Sequence, residues 1–166
     1  MNIRNSGILR GALAGIVLAA ASVTAATAAD LSALSAWKGK YPWDKVGGQA
    51  FFEVPALKQA IAEAVGNGTI VAGMERLLDG GPAGEIEEFD GRLIAWVCKQ
   101  HDCGANNWSV IVAPKSGDVT ICLFDETRNE GHSVWYRKGE KPARGNGDGC
   151  PANAADAPAA LGAAGL

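Results

Sequence analysis

The chain has 166 residues and four cysteines, and its 18 acidic against 15 basic side chains leave a formal net charge of −3. That length suits one domain with a hydrophobic core of its own. The acidic balance argues against nucleic acid, which demands a basic face for its phosphates, and is compatible with solubility alone or with a basic protein partner.

In chain order, the first segment reads as an export signal. Arg4 and Arg10 make a positive start, Gly11 to Val23 is a run of small and apolar residues, and Ala25-Ala26-Thr27-Ala28-Ala29 offers small-residue cleavage sites. Residues 1–28 are therefore expected to be a signal peptide, cut after Ala28 or Ala29, whose loss takes the charge from −3 to −5. The apolar run is too short and alanine-rich for a membrane span, and no later stretch could supply one. No cysteine precedes the cut, so no lipid anchor is expected.

Asp30 to Tyr41 is a mixed lead-in, with Trp37, Tyr41 and Trp43 expected to pack onto the domain. Pro55 suits the first turn of a helix, after which Leu57, Ala60, Ile61, Ala64 and Val65 fall at helical spacing until Gly66-Asn67-Gly68. A second helix from Ile70 to Leu78 puts Val71, Met74, Leu77 and Leu78 on one side and stops at Asp79-Gly80-Gly81-Pro82. From Glu85 the period changes to that of strands. Glu85–Phe89 runs into Asp90-Gly91, a two-residue hairpin signal, and Arg92–Val97 returns. Asn107–Ala113, Val119–Phe124 and His132–Arg137 follow, separated by short turns. This predicts an α+β fold: a five-stranded antiparallel meander, helices packed on one face, and a protruding loop at Cys98. The domain is expected to span 29–150, with 151–166 a disordered tail.

That loop, Cys98-Lys99-Gln100-His101-Asp102-Cys103-Gly104, holds one of the two histidines between two strand-like runs. Its polar residues should project from the sheet end, with Gly104 letting the chain leave at unusual backbone angles. Three readings compete: a small disulfide loop presenting His101, a zinc site on Cys98, His101 and Cys103, or a Cys–His catalytic pair. Zinc lacks the usual paired ligand spacings, and a free thiolate does not suit an exported chain, so the disulfide loop leads. A Cys98–Cys103 bridge would contribute about 2 kcal/mol on the chain-entropy model, and a pairing of Cys122 with Cys150 about 3–4 kcal/mol.

The loop resembles the signature Cys-Lys-Pro-His-Asp-Cys of the Ivy family, inhibitors of vertebrate (C-type) lysozyme. Cys98, Lys99, His101, Asp102 and Cys103 match, while Gln100 stands where the family has proline. The resemblance implies a bacterial periplasmic protein that is not an enzyme and plugs a lysozyme cleft with His101. Asp102 is then expected to orient His101 or the loop backbone, and Lys99 to meet acidic groups at the cleft rim. No metal or cofactor is expected, and monomer and homodimer both remain open. A rival target is the cell's own lytic transglycosylases, and a rival class is a secreted Cys–His enzyme or zinc protein. The acidic group Glu85, Glu87, Glu88 and Asp90 reads as a solvated face, His132 as a surface residue, and 145–149 as a flexible linker.

Overall fold

The structure is a computed structural model that describes residues 30–77, 81–147 and 149–166. The expected signal peptide, Leu78, Asp79 and Gly80 at the end of the second helix, and Asp148 lie outside those residues.

The chain enters through two 3-10 turns, Ser32–Trp37 and Phe51–Glu53, then helices α1 (Pro55–Val65) and α2 (Gly68–Leu77). Pro55 opens α1, and the backbone turns left-handed at Gly66 to end it. The Asn67 side chain caps α2, accepting from the N–H groups of Thr69 and Ile70 at 3.0 and 3.3 Å. A six-stranded antiparallel meander follows in chain order: β1 (Glu87–Phe89), β2 (Arg92–Cys98), β3 (Asn106–Ala113), β4 (Asp118–Asp125), β5 (Val134–Arg137) and β6 (Ala143–Arg144). Asp90 and Gly91 both take positive φ, 46° and 71°, which makes the β1–β2 connection a type I′ hairpin. The sixth strand corrects the expected five: two residues of the glycine-rich segment add to the edge of β5.

One face of the sheet presents Leu93, Ala95, Val97, Trp108, Val110, Val112, Val119 and Ile121 to α1, α2 and the entry turns. Trp37 is buried there and Trp43 packs against this core, but Tyr41 is exposed, against expectation. On the opposite face lie Ile94, Ile111, Cys122 and Trp135, and these are covered too. Here the expected disordered tail and the expectation of helices on one face are both corrected. The chain after Cys150 forms α3 (Ala157–Ala163), which buries Ala157 and Leu161 against that second apolar surface. Glu87 accepts from the N–H of Ala154 at 2.9 Å, fixing the approach to α3.

The expected linker is pinned as well. Gly145 donates to the Ser133 carbonyl at 2.9 Å, continuing the pairing of β6. A methyl group on Gly145 would collide with Ser133 Oγ and come within 2.7 Å of Trp135 Nε1, both in buried residues. Gly145→Ala should therefore destabilise the fold by about 1–3 kcal/mol, the usual range for overpacking, in urea unfolding. Leu161→Ala should cost about 2 kcal/mol in the same measurement, at the low end for buried leucine because the helix is short. An unchanged midpoint for Leu161→Ala would mean that α3 contributes nothing to the folded state.

Candidate functional site

Strand β2 ends on Cys98, which is fully buried, and β3 resumes at Asn106. The seven residues between them form two successive tight turns. Asp102 N–H donates to Lys99 O at 3.0 Å, and the Asp102 carbonyl then accepts from Ala105 and Asn106 at 3.2 and 2.9 Å. Lys99 N–H donates to Asn106 O at 2.9 Å, continuing the β2–β3 ladder to the base of the loop. The disulfide Cys98–Cys103 closes the loop with Cα atoms 4.8 Å apart.

In the first turn His101 has φ 62° and Gln100 a negative φ, so the turn is of type II. Left-handed backbone at a non-glycine residue costs on the order of 1 kcal/mol and persists only where the surroundings enforce it. The residue at unusual angles is thus His101 itself; Gly104, expected in that role, does not have a positive φ. Gln100 occupies the turn position at which proline is favoured.

Asp102 supplies the enforcement. Its Oδ2 accepts from Lys99 Nζ at 2.7 Å and from Asn106 Nδ2 at 2.7 Å. Hydrogen bonds from Lys99 and then from Asn106 hold the Asp102 carboxyl below the usual carboxylate range. A depressed carboxyl pKa means that this tie is complete at neutral pH and is lost only as pH falls through the lowered value. Asp102 therefore organises the loop, and Lys99 pairs with it. Among the described residues neither is hydrogen-bonded to His101, whose side chain is exposed and without a partner.

Two asparagines that sequence reasoning passed over complete the site. Asn106 holds Asp102, and the buried Asn107 donates from Nδ2 to Cys103 O at 2.8 Å while its Oδ1 accepts from Cys150 N–H at 2.8 Å. The available signal was position: a polar side chain facing inward among apolar neighbours usually finds a partner, and Asn107 has two, although Ser109 Oγ further along the strand has none among the described residues.

Cys122 pairs with Cys150, Cα atoms 5.6 Å apart, so all four cysteines are in disulfides. The sulfurs that a Cys–His nucleophile or a zinc site at Cys98 and Cys103 would use are bonded to each other. Glu88 of the acidic group pairs with Lys38 at 2.9 Å, and Glu87 holds Ala154. His132 lies exposed in the β4–β5 connection, at the same end of the sheet as the loop; Glu126 N–H of that connection donates to Ala105 O at 2.9 Å.

Comparison with curated proteins and with solved structures gives no match. A family model described as inhibitor of vertebrate lysozyme (Ivy) matches residues 56–159, from the start of α1 into α3, and with well over half of the chain covered, the protein belongs to the Ivy family of lysozyme inhibitors.

Proposed function

We propose that this protein is exported to the periplasm and inhibits C-type lysozyme by occlusion, with His101 entering the catalytic cleft and no catalytic step of its own. The observation that carries this reading is His101: an exposed imidazole that has no hydrogen bond among the described residues, set at left-handed φ on the tip of a loop in which Asp102 accepts from both Lys99 and Asn106.

The chemistry of the target fits that group. A lysozyme cleft contains a protonated carboxylic acid facing an ionised carboxylate. A neutral imidazole accepts from the first through one nitrogen and donates to the second through the other, and a protonated imidazole donates to both. Lysine has no acceptor, and an aspartate would be repelled by the ionised partner. Because the loop is shaped before contact, little ordering cost remains to be met on binding. Lys99 keeps half of its side chain exposed while paired with Asp102, which leaves ammonium hydrogens free to meet acceptors at the cleft rim.

His101→Ala should raise the inhibition constant for a C-type lysozyme by about 30- to 1,000-fold, equivalent to about 2–4 kcal/mol for charge-assisted bonds lost at a desolvated centre. His132→Ala, at the same end of the molecule, should change it less than about threefold, as befits a peripheral residue. Equal inhibition by wild type and His101→Ala would remove the plug from the account. Side-by-side assays on a lytic transglycosylase determine whether the occlusion extends to that class.

Gln100→Pro should tighten inhibition by about two- to fivefold, because a compatible proline removes about 0.4–1 kcal/mol of freedom from the unbound loop. Position 100 meets the requirement: the turn favours proline there, and among the described hydrogen bonds the Gln100 N–H has no protein acceptor to lose. The gain should appear as slower dissociation in surface plasmon resonance. Several-fold weaker binding would show that the Gln100 side chain itself contacts the enzyme.

A further inference from the structure

We propose that Asn107 is a positioning residue for the inhibitory loop, and that through it the second disulfide, Cys122–Cys150, helps to set the pose of His101. The inference rests on the reading of Cys98–Cys103 as the inhibitory loop.

The argument begins with the side chain. Asn107 is only 5 % exposed and sits directly opposite Cys98 in the β2–β3 register. Its amide faces one acceptor and one donor from distant parts of the chain: Cys103 O, at 2.8 Å from Nδ2, and Cys150 N–H, at 2.8 Å from Oδ1. These partners fix the amide orientation, since a flipped amide would set N–H against N–H and oxygen against oxygen. They also single out asparagine. A carboxylate has no donor for Cys103 O, an apolar residue leaves both groups unpaired, and a serine hydroxyl is too short to span them.

The connectivity gives this bridge its consequence. Cys98 is held by the sheet, and the disulfide fixes where the Cys103 sulfur sits, but neither it nor the bonds that close the second turn engage the Cys103 carbonyl, which lies at the centre of that turn. The bond from Asn107 does so, two residues from His101. Cys150 in turn is anchored to the middle of β4 through Cys122, which lies opposite Ser109. A covalent and hydrogen-bonded chain therefore runs from β4 through Cys122, Cys150, Asn107 and Cys103 to the turn that carries His101. This connects a contact 43 residues away in sequence to the tip of the loop.

The test is a double-mutant cycle on the full exported chain, with inhibition of a C-type lysozyme as one readout and amide hydrogen exchange of the free protein as the other. Asn107→Asp keeps the size and the acceptor for Cys150 but removes the donor to Cys103. It should raise the inhibition constant about 10- to 50-fold in the wild-type background and less than about twofold in the His101→Ala background, because coupled residues are non-additive. The amides of Asp102 and Asn106 should exchange at least about tenfold faster, while those of Ala95 and Val110 in the sheet change little, the pattern of local and not global opening. A purely structural role would speed loop and sheet amides together and give equal factors in both backgrounds, and either result overturns the proposal. If Asn107→Asp fails to fold, the smaller Asn107→Ser is judged by the same criteria. If the wild-type protein does not inhibit lysozyme, the inhibitory reading fails by itself, and the exchange pattern alone then upholds or overturns the positioning role.

Discussion

Strand β3 is buried along six consecutive residues, from Asn107 to Val112, and the rest of the molecule follows from that constraint. Successive residues of a strand point to opposite faces, so six buried in a row require cover on both sides. Helices α1 and α2 with the entry turns cover one face, around Trp108, Val110 and Val112. The other face, with Ile111 beside Ile94, is closed by the segment that Cys150 ties to Cys122 and that ends in α3. The first inward residue of β3 is Asn107, so the strand at the centre of the fold is also the one whose end holds the loop. Core and site share a backbone.

The loop shows how a small site is kept rigid without a large core beneath it. His101 sits in a backbone region that side chains disfavour, and the strain is balanced by short-range ties: the Cys98–Cys103 bridge, the Lys99–Asp102 pair, Asn106 on Asp102 and Asn107 on Cys103. The exposed Lys99–Asp102 pair alone would add little to stability, as surface ion pairs do. Its effect here is conformational, since both partners belong to the turn that presents His101. Lys99, Asp102 and Asn106 hold one another, Asn107 ties Cys103 to Cys150, and among the described residues the His101 imidazole has no partner.

Most of this was legible in the sequence, and the exceptions have physical reasons. The helix from Pro55, the Asp90-Gly91 hairpin, the alternation through β4 and the loop between two cysteines are local signals, carried by residues close together in the chain. The tail was misread because Ala157, Ala160 and Leu161 offer few apolar groups of their own, and what orders them is a partner surface far away in sequence. A clue was present in β2 and β3, where Ile94 and Ile111 lie on the face away from the first two helices; the apolar runs without clean alternation implied a second cover, and only the tail remained to supply it. Tyr41 was expected to pack on its aromatic character alone, but its backbone lies in a surface turn, where its N–H is bonded to Asp44 Oδ2 at 2.9 Å. Asn106 reads as the end of the loop, and Asn107, although it falls at the start of the predicted strand, carries no local sign of the partners it holds. Their roles depend on partners as distant as Cys150.

The central claim is that the loop occupies the lysozyme cleft itself and not a surface beside it. The most direct measurement is binding of the protein to a C-type lysozyme while the cleft is filled, in increasing concentration, by an oligomer of N-acetylglucosamine. Occlusion by His101 predicts mutual exclusion: the apparent Kd rises in proportion to the oligosaccharide, and no ternary complex forms. An unchanged Kd at saturating oligosaccharide, with all three components bound together, would contradict it.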